Sequence, residues 1–147
     1  MILTVSVTLN LKTKEVAERV KQATKLAMRD TVSDIAQDAI HLSPVLTGNN
    51  RRSIFFGAAG FGHKQASGAG RHAKDTWTGE DASTVDESKI EGAVYGTSGY
   101  SGFLETGHAT RSGSFVAARP YFKPALDRNF TQDKFAEKTR GYLGASA

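Results

Sequence analysis

The sequence predicts an α+β fold. A long N-terminal amphipathic helix and a C-terminal helix pack on a small, mainly antiparallel β-sheet, with two long glycine-rich loops between them. Three observations carry this expectation. Residues 4 to 11 alternate, Val5, Val7, Leu9 and Leu11 against Thr4, Ser6, Thr8 and Asn10, which is the period of a half-buried strand. Residues 13 to 42 instead repeat Val16, Val20, Ala23, Ala27, Ile35, Ala39 and Leu42 at steps of three and four, the stripe of a helix, interrupted at Thr31. Pro44, Pro120 and Pro124 stand where one pattern gives way to the next.

The elements follow in order. Thr13 is suited to cap the first helix, with Glu15 and Glu18 favourable near its positive end. Pro44 disfavours the helical conformation at Ser43 and ends it there. Thirty residues at the α-helical rise would span about 45 Å, so the helix either crosses the whole molecule or leans on a neighbour. Thr47-Gly48 then supplies a tight turn, and Arg51-Arg52 precede the short apolar strand Ser53-Ile54-Phe55-Phe56.

From 57 to 89 the chain turns glycine-rich and poor in aliphatics. We expect an extended loop leaving the domain, or a β-hairpin arm with its tip near Gly68-Ala69-Gly70. Phe61 and Trp77 are the residues able to anchor it. Ile90 to Thr97 reads as another strand, and 98 to 118 as a second loop, broken by Phe103-Leu104-Glu105 and containing the Thr106-Gly107 turn. Pro120 and Pro124 open the last helix, since proline's missing N–H is no loss in a first turn. Phe122, Leu126, Phe130 and Phe135 would line its apolar side, with a break near Thr131. No internal repeat or linker divides the chain, so residues 1–147 are read as one domain.

Composition narrows the function. Of 147 residues, 39% are hydrophobic and 23% charged, which fits a soluble globular protein. No apolar run approaches the ~20 residues of a membrane span, and no signal-peptide pattern opens the sequence. Without cysteine there is neither a disulfide nor a thiolate metal site. The net charge is +4, yet no acid lies between Asp38 and Asp75, while Arg51, Arg52, Lys64, Arg71 and Lys74 do. The basicity is therefore local, and suits phosphates or an acidic protein surface as well as a solvated loop.

Catalytic patterns are weak. His63 and His72, near Asp75 and Glu80, have no familiar ligand spacing and no regular element to hold them. Glu105 and His108 are separated by Thr106-Gly107, which argues against a shared helical face. His41 ends a helix, where the dipole favours it. There is no Gly-x-Ser-x-Gly elbow, and Gly57 to Gly62 lacks the Lys-Ser/Thr ending of a phosphate loop. The expectation is a protein that is not an enzyme, with no catalytic residue, metal or cofactor.

Three segments recur in a telling order: Ser43-Pro44-Val45-Leu46-Thr47-Gly48-Asn49-Asn50-Arg51-Arg52-Ser53-Ile54, Tyr100 to Gly107, and Ala118-Arg119-Pro120-Tyr121-Phe122-Lys123-Pro124-Ala125. Over roughly residues 13 to 130 this order resembles a family of tail-completion, or neck, components of tailed double-stranded-DNA bacteriophages and prophages. Leu46 stands where that family usually has Asp, and His108 where it has Thr. The resemblance implies a virion structural protein, made in the host cytoplasm, that forms a six-fold or twelve-fold ring of its own copies around the DNA channel. Its partners would be connector or head-closure proteins, tail-tube or terminator proteins and packaged DNA. A tail terminator or a head-closure protein is the neighbouring expectation, and a small basic nucleic-acid-binding module the one from another class. Under either, Arg51, Arg52, Lys64, Arg71, Lys74, Glu105, Phe61 and Trp77 are the interface or DNA-channel candidates. Pro44, Thr47, Gly48, Gly107, Pro120 and Pro124 are structural turns.

Overall fold

A computed structural model describes residues 1–9, 13–44, 49–66 and 85–145. It is α+β, as the sequence predicts. Strand β1 (Ile2–Val7) leads to the helix α1 (Lys14–Leu42) and the single turn α2 (Asn49–Arg52). Strands β2 (Ile54–Ala58), β3 (Gly62–Gln65) and β4 (Ile90–Gly96) complete a four-stranded sheet of order β1-β4-β2-β3, antiparallel throughout. After it come α3 (Ser101–Thr106), a small hairpin of β5 (His108–Ala109) and β6 (Phe115–Val116), then α4 (Phe122–Asn129) and α5 (Gln132–Ala145).

α1 lies between the sheet and the α4–α5 pair. Met28, Val32, Ile35, Ala36 and Ala39 meet Val5, Ile54, Ala58, Ile90 and Val94 of the sheet, and Tyr121, Phe122 and Ala125 close the core. The approach is tight at Gly92 of β4, where a Cβ would come 2.5 Å from Val32 Cγ1. The absent side chain of Gly92 permits that closeness to Val32 and Met28. The interruption at Thr31 is also explained. Thr31 is completely buried, and its hydroxyl donates to the Ala27 carbonyl at 2.7 Å, as Thr24 donates to Val20 at 2.6 Å. Satisfied in this way, a threonine sits in a core at little cost.

α1 runs as expected from Thr13 to Ser43, although Thr13 makes no side-chain cap. Its first turns are little covered, leaving Val16 54% exposed. At the other end, Ser43 N–H still donates to Ala39 before Pro44 turns the chain away. The break expected near Thr131 separates α4 from α5. α5 buries no residue fully. It rests on α1 through Phe135 and through polar pairs such as Lys138 with Asp34 and Tyr142 with Asp30.

Three expectations need correction. β1 stops at Val7, so Leu9 is 40% exposed instead of facing the core, and Leu11 lies outside the described residues. The supposed excursion from residue 57 begins inside the sheet. Ala58 to Gly62 is a tight turn in which Gly60 (φ 86°) and Gly62 (φ 67°) take the conformation glycine tolerates best, and β3 follows at once. A hairpin tip near residues 68–70 lies outside the described residues. The second loop, finally, contains a helix and a hairpin. Its glycines hid these, because they stand at element ends: Gly107 (φ 76°) closes α3 and Gly113 (φ 87°) turns the hairpin.

Candidate functional site

The three ordered sequence segments meet at Asn50. This residue is 4% exposed, at the start of the short turn α2. Its side-chain amide donates to Ser43 Oγ at 2.6 Å. Its Oδ1 faces the hydroxyls of Ser98 at 3.0 Å, Ser101 at 3.1 Å and Tyr121 at 3.3 Å, while Ser98 and Ser101 share a hydrogen bond of 2.7 Å. An amide oxygen has two lone pairs, so two of the hydroxyls donate to it and one serine donates to its neighbour. Every member is then satisfied in a buried cluster that ties the end of α1, α2, α3 and the start of α4 together.

Glu105, 7% exposed at the end of α3, makes the second tie. Its Oε2 accepts the N–H groups of Tyr121 (2.9 Å) and Phe122 (3.1 Å), and its Oε1 that of Lys123 (2.8 Å). Pro124 has no N–H to satisfy. The free donors of the α4 N-terminus are thus all accounted for, and the carboxylate sits where the helix dipole favours it. Arg119 N–H also donates to Leu104 at 2.7 Å.

These two ties hold out a corner that the core does not use. Tyr100, Phe103, Phe115 and Val116 are large apolar residues left exposed there, Phe115 by 71%. Phe103 packs on the His108 ring at 5.3 Å. Phe115 lies over Gly107, whose missing Cβ would be 2.9 Å from its Cζ. The corner is rigid because Gly107 N–H donates to Phe103, while Thr110 closes the hairpin by donating to Ser114. Gly107, with φ 76° and ψ 168°, has a backbone shape close to glycine-only, and a Cβ would also strike Val116 O at 2.8 Å. Gly107→Ala is expected to cost about 2 kcal/mol, measured as a shift of the urea midpoint.

Most residues singled out from sequence have other work. Arg51 donates to the Ser43 carbonyl at 3.3 Å and the His41 carbonyl at 3.4 Å, capping α1. Arg52 is 8% exposed, and its carbonyl accepts from the Gln65 side chain. Glu105 is committed to α4 and pairs with neither arginine. Within the chain, capping occupies Arg51 and Glu105, and Arg52 is buried. Phe61 is half-buried against the core, with the Arg29 guanidinium 5.1 Å above its ring, so it anchors a turn in the sheet and not a free arm. Lys64 lies on the exposed strand β3, at the rim of a shallow depression with Arg29 and Phe56. Pro44, Gly107, Pro120 and Pro124 stand at element ends. Arg71, Lys74, Trp77, Thr47 and Gly48 lie outside the described residues. Among the described residues no three of His, Asp and Glu converge on a point that could hold a metal ion. Sequence reasoning missed Asn50 and Phe115. The signal was modest: serines at 43, 53, 98 and 101 flanking an asparagine, and a lone Phe-Val in a run of small residues.

Burial raises the Tyr121 pKa above its ordinary value of 10.0, against the lowering effect of its bonds to Ser101 and Asn50. The folded state therefore keeps a proton that the unfolded chain releases. The associated stability is complete below pH 10 and is lost as the pH climbs from there through the folded pKa. Tyr121→Phe should flatten the alkaline arm of a stability-versus-pH curve, leaving the contribution of Tyr142, whose pKa is raised by its bond to Asp30.

No protein-family model matches the chain, and no solved structure matches it. Among curated proteins it is 37% identical over 84 residues to the SAGA complex/transcription factor TFIID complex subunit Taf10 of Schizosaccharomyces pombe. The alignment covers 56% of this chain, which spans 39% of the length of that relative. This similarity overturns the phage resemblance. The relative is a subunit of transcription complexes, where a neck or tail-completion protein was expected. The virion location, the ring of its own copies, the connector, tail-tube and packaged-DNA partners, and the terminator and head-closure variants are withdrawn with it. So is the nucleic-acid-binding module, whose arginines at 51 and 52 belong to the fold. The ordered segments are explained by the ties at Asn50 and Glu105, without a virion.

Proposed function

We propose that this chain is a non-catalytic subunit of a larger protein assembly, of the transcription-complex kind named for its relative, and that it joins that assembly through the α3–β5–β6 corner. The observation that carries this reading is the apolar group of Tyr100, Phe103, Phe115 and Val116, left exposed on a corner that two buried polar ties hold in place. Side chains of this kind gain by being covered, and a rigid mount lowers the ordering cost of covering them. Partial similarity to Taf10 supports the class of assembly.

Co-purification tests it. Tagged chain expressed in Schizosaccharomyces pombe should retain subunits of SAGA or TFIID, and Phe115→Asp, on an exposed position, should release them without loss of folding. Wild-type chain that retains neither complex contradicts the reading.

A further inference from the structure

The corner also carries a charge pattern that specifies what it meets, an inference that rests on the subunit reading above. From Gly92 to Leu126 the one acid is Glu105, and its carboxylate is turned inward to α4. Over the same span lie Arg111, Arg119 and Lys123. Lys123 is paired with Asp127, one helical turn on. Arg111 and Arg119 are exposed, and neither takes part in an ion pair among the described residues. Residues 111–120 are exposed without interruption, so Arg111 and Arg119 bracket Phe115 and Val116 along one exposed stretch of chain. An apolar centre with cationic flanks and no exposed acid is complementary to one kind of surface.

We propose that the α3–β5–β6 corner docks an acidic, amphipathic protein segment, with Phe115 entering an apolar pocket and Arg111 and Arg119 pairing with carboxylates at its rim. Aromatic and arginine side chains are the ones that concentrate interface energy, and complementary rim charge sets orientation and association rate. Nucleic acid fits less well. Two cations neutralise few phosphates, and the residues between them include the exposed apolar Phe115 and Val116.

The test uses the full chain and three fluorescent synthetic peptides read by anisotropy. One carries Leu at helical spacing with Glu on the other face. The second replaces each Glu by Lys, and the third replaces each Leu by Ser. A single-stranded oligodeoxynucleotide is the fourth probe. The first peptide should bind at least ten-fold more tightly than the others, and more weakly as salt rises. Phe115→Asp should abolish binding, and Arg111→Glu with Arg119→Glu should weaken it at least ten-fold. Unchanged circular dichroism serves as the control for folding. Equal binding of the three peptides, preference for the oligonucleotide, or indifference to both variants overturns the proposal. Failure here with intact co-purification would refute the partner chemistry and leave the subunit reading standing; failure of both would remove the subunit reading as well.

Discussion

Glu105→Ala is expected to lower the folding stability by about 3 kcal/mol, because three backbone donors lose a charged acceptor in a buried place. Tyr121 and Phe122 are 0% and 1% exposed, so water has little access to their N–H groups once the carboxylate is gone. The dipole of α4 also loses its counter-charge. Glu105→Gln keeps one acceptor oxygen and should recover about half of the loss, on the scale of a neutral against a charge-assisted hydrogen bond. Urea titrations decide the matter, with the slope checked for constancy. A loss under about 1 kcal/mol for the alanine variant would mean that water replaces the cap.

Asn50→Ala is expected to cost a similar amount, about 2–4 kcal/mol, by a different route. Its removal opens a cavity and leaves Ser43, Ser98, Ser101 and Tyr121 short of a shared partner in a site that excludes water. The losses should not add. Ser101→Ala in the Asn50→Ala background should cost much less than in the wild-type protein, since the hydroxyl has already lost its acceptor. Additive losses would mean that the four hydroxyls act independently.

Much of the fold was legible in the sequence, for physical reasons. α1 could be read because a helix facing a flat sheet must repeat its small apolar residues every three or four positions, and Ala23 to Ala39 do so. β2 and β4 could be read as apolar strands, and the α4–α5 break as a failure of periodicity at Thr131. β3 could not. Gly-His-Lys-Gln carries no apolar alternation because it is an edge strand with its side chains mostly in solvent. The α3–hairpin corner was hidden for a related reason. It contributes Ser101 and Glu105 to buried polar ties, and of its large apolar residues Leu104 packs on the core while Phe103, Phe115 and Val116 are exposed, so no core-facing stripe exists to be seen.

Function was less legible than fold. Arg51, Arg52 and Glu105 are charged residues in turns, and such residues suggest an interface until their partners are known. Those partners are backbone carbonyls for Arg51 and backbone amides for Glu105, the latter sixteen to eighteen residues away. Asn50 bonds across as many as 71 residues to Tyr121. Contacts of that range leave no trace in local spacing. The segments that suggested a virion protein are, in this structure, the two halves of an internal clasp.

The central claim is that this clasp presents the corner for covering by another protein. Amide hydrogen exchange of the chain, alone and within the assembly it co-purifies with, tests that directly. The account predicts slower exchange on assembly across residues 103–117, with the middle of α1 unchanged because its amides are already protected in the core. Slower exchange confined to other surfaces, with the corner exchanging as fast in the assembly as in isolation, would contradict it.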